Sequence, residues 1–188
     1  MRIILASVSP RRKQVMEGLG LPYMVKPSGF DERSINIKDP AKLVERLALE
    51  KARTVAKENP DALVIGADTL AMIGEKIVGK PKDLGEARRF LLMAAGKEIK
   101  DFNGVAVIYQ GKEKSASVTG FAKMKKFGDR EISDYFSRID PLDKTGGFAA
   151  DPAGGGEFME SYKGEPGQEL GLPLDTLKKL LSTFGVRV

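Results

Sequence analysis

The sequence predicts an α/β fold built on a mixed sheet rather than an all-parallel one. Three observations predict it. Short apolar runs of strand character alternate with stretches of helical periodicity. The alternation is irregular, unlike a string of repeated βαβ units. Turn chemistry at Gly74-Glu75 and Gln110-Gly111-Lys112 joins consecutive strands as hairpins.

The elements follow in order. Residues 3–6 (Ile-Ile-Leu-Ala) read as a short buried strand. Ser9 can cap a helix with Pro10 at its first position; Val15, Met16 and Leu19 give its apolar face and Gly20 stops it. Residues 23–37 read as strand and loop around Asp31-Glu32. Asp39-Pro40 repeats the cap-plus-proline start, and the helix runs to Lys57 with Leu43, Val44, Leu47, Ala48, Ala52, Val55 and Ala56 on one face. Residues 62–73 predict one strand of mostly apolar residues, its apolar run interrupted by Asp68-Thr69 and continued to Ile73, turning at Gly74-Glu75 into Lys76–Val78. Asp83 and Glu86 form a capping pattern for a helix ending near Gly96. Strands are expected at 97–109 and 114–127. Asp129 is expected to cap a helix with Ile132, Tyr135, Phe136 and Ile139 inward, closed by Pro141. A glycine-rich, acidic stretch precedes a strand at Phe158–Tyr162. Pro173 then opens a last helix through Leu177 and Leu181. No repeat, low-complexity linker or composition break divides the chain, so residues 1–188 read as one domain.

Composition narrows the chemistry. The 188 residues contain no Cys, His or Trp. That excludes thiolate nucleophiles, disulfides, Cys/His zinc sites, imidazole bases and a Ser-His-Asp triad. Catalysis must come from Asp, Glu, Lys, Arg, Ser, Thr or Tyr, with or without a hard metal ion. No apolar run reaches a membrane span, and Met1 to Ala6 followed by arginines is unlike a signal peptide. The lack of cysteine fits a cytoplasmic setting. The net charge of +5 is uneven: residues 1–26 hold Arg2, Arg11, Arg12, Lys13 and Lys26 against Glu17 alone. A local anion site fits that distribution better than a nucleic-acid-coating surface; a solvated basic helix is the plainer alternative.

Six constellations carry chemistry. Ser7-Val8-Ser9-Pro10-Arg11-Arg12 lies between a strand and a helix start, where free N–H groups, two hydroxyls and two guanidinium forks suit phosphate. Capping by Ser9 explains the Ser-Pro pair but not the arginines. Lys51 falls in the apolar arc of its helix, so it must snorkel, meet an acid or reach a ligand. Asp68 sits in Val64-Ile65-Gly66-Ala67-Asp68-Thr69-Leu70, where a carboxylate is costly unless paired or bound to a cation; it reads as a general base or metal ligand. Gly66 and Ala67 leave room for close approach beside it. Gly79-Lys80-Pro81 offers Lys80 on a fixed loop to a phosphate, or is an ordinary turn. Asp31-Glu32 can hold Mg²⁺ with substrate phosphates, or is a solvated acidic pair. Asp143-Lys144-Thr145-Gly146-Gly147 is either a ligand-facing backbone or a structural turn.

Taken in this order, the motifs resemble the Maf family of nucleoside triphosphate pyrophosphatases. S-x-S-P-R-R is matched by Ser7, Ser9, Pro10, Arg11 and Arg12, E-K-A by Glu50-Lys51-Ala52, and G-A-D-T by Gly66 to Thr69. G-K-P is matched by Gly79 to Pro81 and G-L-P by Gly171 to Pro173, and D-K-A-G appears as Asp143-Lys144-Thr145-Gly146. The resemblance implies a bent mixed sheet flanked by helices, with two lobes around a deep cleft, inosine-triphosphatase-like, and often a homodimer. It implies hydrolysis of a nucleoside triphosphate to the monophosphate and pyrophosphate, with Mg²⁺ or Mn²⁺. It makes Asp68 the proton acceptor and a metal ligand with Glu32. Lys51, Lys80, Ser7, Ser9, Arg11 and Arg12 become phosphate ligands, and Lys51 and Lys80 part of the catalytic set. Asp143 and Lys144 are further site candidates.

Three specificity positions of the family's dTTP/UTP branch fall on Arg11, Thr69 and Asp151. The first two agree with that branch; at Asp151 the family has glutamine, and Gln168-Glu169-Leu170 replaces its N-V-V. An amide can donate and accept toward a pyrimidine edge, whereas a carboxylate only accepts. The expected substrate is therefore dTTP/UTP or a modified nucleotide. A nucleotide-binding regulator with impaired catalysis stands as the alternative. A nucleic-acid-binding module is the third reading, and no membrane or stable nucleic-acid partner is expected.

Overall fold

A computed structural model describes residues 1–148 and 156–188. Among the described residues are seven strands in one sheet and five α-helices. They run β1 (Arg2–Leu5), α1 (Pro10–Gly18), β2 (Met24–Val25), α2 (Pro40–Glu58), β3 (Ala62–Ile73), β4 (Lys76–Val78), α3 (Leu84–Ala94), β5 (Glu98–Tyr109), β6 (Lys112–Met124), α4 (Asp129–Arg138), β7 (Met159–Lys163) and α5 (Leu174–Ser182). The sheet order is β2-β1-β3-β5-β6-β7, with β4 paired to β3. β1 is parallel to β2 and β3, while β3–β4 and β6–β7 are antiparallel. The mixed sheet expected from the sequence is the one observed.

Strand β3 runs from Ala62 through Asp68-Thr69 to Ile73, as the apolar continuation past Asp68 predicts, with the carboxylate paired to a lysine. Three local expectations are corrected. The β5–β6 turn has two residues: Gln110 (φ 49°) and Gly111 (φ 74°) both adopt the left-handed region that matches strand twist, so β6 begins at Lys112. Helix α4 is capped by Gly128, whose N–H donates to Glu131 Oε2 at 3.0 Å, and Asp129 is already its first residue. Ser9 precedes α1, but its side chain makes no cap hydrogen bond.

The chain forms two compact units. One comprises Met1–Asp68, Asn103–Val118 and Glu165–Val188; the other comprises Thr69–Phe102 and Thr119–Gly164. In the first, strand alternation sorts side chains onto two faces. Ile3, Leu5, Leu63, Ile65, Val105 and Val107 pack with Val15 and Met16 of α1 and Leu177 and Leu181 of α5. Ile4, Ala6, Val64, Ala106 and Ile108 pack with Ala48, Ala52 and Val55 of α2. The α2 face is thin because backbone meets backbone. A Cβ on Gly66 would lie 2.1 Å from the Ala48 carbonyl oxygen, and one on Gly104 2.1 Å from that of Val44.

In the second unit, Ala71, Ile73, Val78, Ile99, Ala122 and Met124 pack with Phe90 and Leu91 of α3 and Ile132 and Tyr135 of α4. Tyr135 meets Phe158 edge-on, ring centroids 5.1 Å apart, and its hydroxyl donates to the Gly147 carbonyl at 3.1 Å. That bond satisfies the hydroxyl of a fully buried side chain.

Candidate active site

The first unit gathers Ser7, Arg12, Glu32, Lys51 and Asp68. Helix α2 carries Lys51. Asp39 starts that helix by accepting from the N–H groups of Ala41 (2.9 Å) and Lys42 (3.2 Å). Close packing on Gly66 sets the helix low on β3, and Lys51 projects toward the strand's Asp68. Its ammonium donates to Asp68 Oδ1 at 2.5 Å and lies 2.6 Å from Glu32 Oε1. So the lysine in the apolar arc finds two acids. Its side chain is only 12% exposed, against 6% for Asp68 and 55% for Glu32.

Burial pushes the Asp68 carboxyl above its ordinary range. The charge and hydrogen bond of Lys51, then the charge of Arg12, pull it back; the nearby charge of Glu32 adds to the rise. Asp68 Oδ2 is buried with no hydrogen-bond partner, the one such side-chain oxygen or nitrogen among the described residues. An orphaned carboxylate oxygen in a core is expensive and awaits a proton, a water or a cation.

Arg12 is spread over three segments. Its Nε donates to the Gly171 carbonyl at 2.9 Å, and its Nη1 donates to Ser7 Oγ at 3.1 Å and to the Ala67 carbonyl at 3.0 Å. Burial pulls its guanidinium below the ordinary arginine value, against the field of Asp68. Ser7 Oγ also accepts from the Ser9 N–H at 3.3 Å. The hydroxyl that orders this loop is therefore that of Ser7. Arg11 is half-buried in the first turn of α1, and Ser9 is half-buried just before it.

Asp31 is engaged elsewhere. Its Oδ1 accepts from the Arg33 N–H (3.2 Å) and Nε (2.9 Å), which holds its carboxyl below the ordinary range. The adjacent acids thus divide: Asp31 caps the short turn Glu32–Ser34, and Glu32 turns to Lys51.

A hard divalent cation fits Glu32 and Asp68. Both offer carboxylate oxygens, one buried and unpartnered, and an ammonium already lies between them. No group of three or more acids forms a cage among the described residues. Two carboxylates completed by substrate phosphates and water suit Mg²⁺ better than a closed calcium cage does.

The second unit gathers Thr69, Gly79-Lys80-Pro81 and residues 143–147. The Gly146 N–H donates to the Gly79 carbonyl at 2.9 Å, and Thr145 Oγ1 to the Thr69 carbonyl at 3.5 Å. Lys144 is buried, its ammonium donating to Asp143 Oδ1 (2.5 Å) and the Asp140 carbonyl (2.7 Å). Lys80 is exposed. Asp151 lies outside the described residues.

Sequence reasoning missed the carbonyls of Ala67 and Gly171. Backbone acceptors leave no residue-type signal; only the G-L-P match pointed near the second. It also missed Glu165, which accepts from the Thr176 N–H and hydroxyl, both at 2.9 Å, and so ties the 165–171 segment to α5.

A model of the family described as Maf-like protein matches residues 2–184. The chain belongs to the Maf family. This Maf protein is 38% identical over 186 residues to a dTTP/UTP pyrophosphatase of Syntrophus aciditrophicus (strain SB), covering 98% of this chain and 90% of that one. It is 36% identical over 189 residues to a dTTP/UTP pyrophosphatase of Moorella thermoacetica, covering 100% and 97%. It is likewise 36% identical over 188 residues to a nucleoside triphosphate pyrophosphatase of Synechococcus sp. (strain JA-2-3B'a(2-13)), covering 97% and 94%. Among solved structures, the Staphylococcus aureus Ham1 protein is similar to this Maf chain with a TM-score of 0.48 and 15% identity, covering 69% and 76%.

Proposed function

We propose that this Maf protein is a hydrolase that cleaves a nucleoside triphosphate between its α- and β-phosphates, releasing the monophosphate and pyrophosphate. The observation that carries the reading is Lys51 held between Glu32 and Asp68, with Arg12 and Ser7 ordering the loop next to Asp68. Full-length relatives named as pyrophosphatases support it.

The roles follow from the donors present. Asp68 is the proton acceptor for the attacking water, and its unpartnered Oδ2 is the atom that takes the proton. Lys51 and Lys80 neutralise phosphate oxygens as charge builds on the leaving pyrophosphate. Ser7, Ser9 and Arg11 offer donors to the phosphates, and Arg12 adds charge while holding their loop. Glu32 and Asp68 would hold Mg²⁺ or Mn²⁺, which supplies charge neutralisation and an acidified water when bound. Thr69, Lys80, Asp143 and Lys144 are assigned to the nucleotide from the ordered motif match.

The substrate is dTTP, UTP or a modified relative of them. Arg11 and Thr69 agree with that branch of the family, and two of the cited relatives carry that name. Asp151 stands where that branch has glutamine, and a carboxylate accepts where an amide can also donate, which favours modified relatives that carry an added donor. Such an enzyme clears unwanted nucleotides, in the cytoplasm and as a homodimer, with no stable nucleic-acid partner. Among the described residues no helix is long and apolar enough to cross a membrane.

Pyrophosphate release with Mg²⁺ or Mn²⁺, screened over canonical and modified nucleoside triphosphates, tests the reading. Asp68→Asn is expected to lower the rate by about 10²–10⁴-fold with an unchanged circular dichroism spectrum. An Asn variant at full rate would remove Asp68 from the mechanism. Tight nucleotide binding without turnover would reduce the protein to a regulator.

A further inference from the structure

We infer that Lys51 is a built-in counter-ion that occupies the divalent-cation seat until a triphosphate draws it away. The inference rests on the pyrophosphatase reading of this site and adds an order of loading to it. Metal alone binds poorly, and metal and triphosphate bind together.

The geometry is that of a cation already in place. One ammonium touches two carboxylates from different segments, at 2.5 Å and 2.6 Å. Neither acid is a sequence neighbour of Lys51, so helix periodicity alone would not bring them there. The seat is also prepared for more charge than it holds. Asp68 Oδ2 stays buried and unpartnered beside the pair, although Oδ1 accepts from Lys51. An ammonium is a point charge with one reach; it satisfies one oxygen of Asp68 and one of Glu32 and leaves the other. A hydrated divalent ion brings water donors and two charges, enough for both oxygens.

The charges explain the order. With Lys51 in place and the Arg12 guanidinium close by, an incoming dication meets two positive groups around two carboxylates. Lys51 cannot simply leave, because its stem is in the apolar face of α2 and an unpaired buried ammonium is costly. A triphosphate removes the obstacle, since its oxygens give the ammonium a new partner. Lys51 then has two stations, carboxylate and phosphate, and its transfer couples the two ligands. By linkage, each must raise the affinity of the other by the same factor.

The test measures Mn²⁺ binding to the full chain without nucleotide, by electron paramagnetic resonance of the free ion. Lys51→Met is expected to bind Mn²⁺ at least about tenfold more tightly than wild type, the size of one opposite-charge contact on an ionic equilibrium. Lys51→Arg, which keeps the charge, is expected to stay weak. Adding Asp68→Asn to Lys51→Met should abolish the gain, which places the ion on Asp68. Equal affinities for wild type and Lys51→Met, or an equal gain in Lys51→Arg, would overturn the inference.

Wild type supplies a second measurement that needs no variant. Lys51 should become more reactive toward an amine-acylating reagent as Mn²⁺ occupies the protein, read by peptide mass spectrometry. Flat labelling of Lys51 across saturation would also overturn it. Neither readout uses turnover. A chain that shows both effects but releases no pyrophosphate keeps the counter-ion and loses the pyrophosphatase reading.

Discussion

The ammonium of Lys51 donates to Asp68 Oδ1 at 2.5 Å, with both side chains largely withdrawn from solvent, 12% and 6% exposed. The pair sets a titration that can be followed directly. Burial raises the Asp68 carboxyl above the ordinary 3.8, and Lys51 is the largest influence opposing the rise. In metal-free protein the Asp68 carboxyl carbon, followed by ¹³C NMR, should titrate above the ordinary aspartate range. Lys51→Met should move it higher still. The stability linkage has a definite sign. A folded value above the unfolded one means that the Asp68 contribution is fully present below 3.8 and is lost as pH rises through the folded value. An Asp68 that titrates in Lys51→Met as it does in wild type would refute the pairing.

The distance between α2 and the sheet is set by glycines, and their substitution should be costly. A Cβ on Gly66 would lie 2.1 Å from the Ala48 oxygen and 2.9 Å from Ala52 Cβ; one on Gly104 would meet the Val44 carbonyl at 2.1 Å. The neighbours are helix backbone, so nothing can swing aside. Gly66→Ala and Gly104→Ala should each lower stability by about 1–3 kcal/mol or more in urea unfolding. Gly18 ends α1 with nothing within 4 Å of its would-be Cβ. Gly18→Ala should therefore be neutral or stabilise by about 0.5–1 kcal/mol. Equal losses at all three positions would show that the close approach is not what the glycines serve.

These glycines mark how far the sequence could be read. Gly66 beside Asp68 was legible as a place of close approach, but the neighbour there is helix α2. Residue type records that a backbone must be bare and says nothing about what lies against it. Lys51 was legible as a cation with a problem, since an ammonium in an apolar arc must find a partner. The mixed sheet was legible from alternation and turns. Three things were not. The partner of the buried Asp68 carboxylate is a lysine from another element, which nothing local to the strand records. The division of labour between Asp31 and Glu32 depended on Arg33 capturing the first. The acceptors of Arg12 are carbonyls, which every residue has.

Helix α2 positions Lys51, yet its stability and its function should separate. Asp39 accepts from the Ala41 and Lys42 N–H groups and caps the helix three turns before Lys51. Asp39→Ala removes the cap and should cost about 1 kcal/mol. The contacts of Gly66 with Ala48 and Ala52 and of Gly104 with Val44 remain, so the rate of pyrophosphate release below the melting range should not change. A parallel loss of rate and stability would mean that the first turn, rather than the glycine contact, sets the position of Lys51.

Arg12 offers the sharpest distinction between charge and geometry. Its guanidinium reaches three acceptors in three segments: Ser7 Oγ at 3.1 Å, the Ala67 carbonyl at 3.0 Å and the Gly171 carbonyl at 2.9 Å. A lysine keeps the charge but not the fork, and cannot serve acceptors on both Nε and Nη1. Arg12→Lys should leave at least one buried acceptor unserved and lower stability by about 1–3 kcal/mol. The loop from Ser7 to Arg12 would also lose its tie to Gly171. If that tie orders the phosphate donors, kcat/KM should fall at least about tenfold while Arg12→Lys still binds pyrophosphate, because the charge remains. If Arg12 acts by charge alone, Arg12→Lys should retain near wild-type kcat/KM and Arg12→Gln should not. Measuring both variants separates the two, since only the tied loop makes lysine as poor a substitute as glutamine.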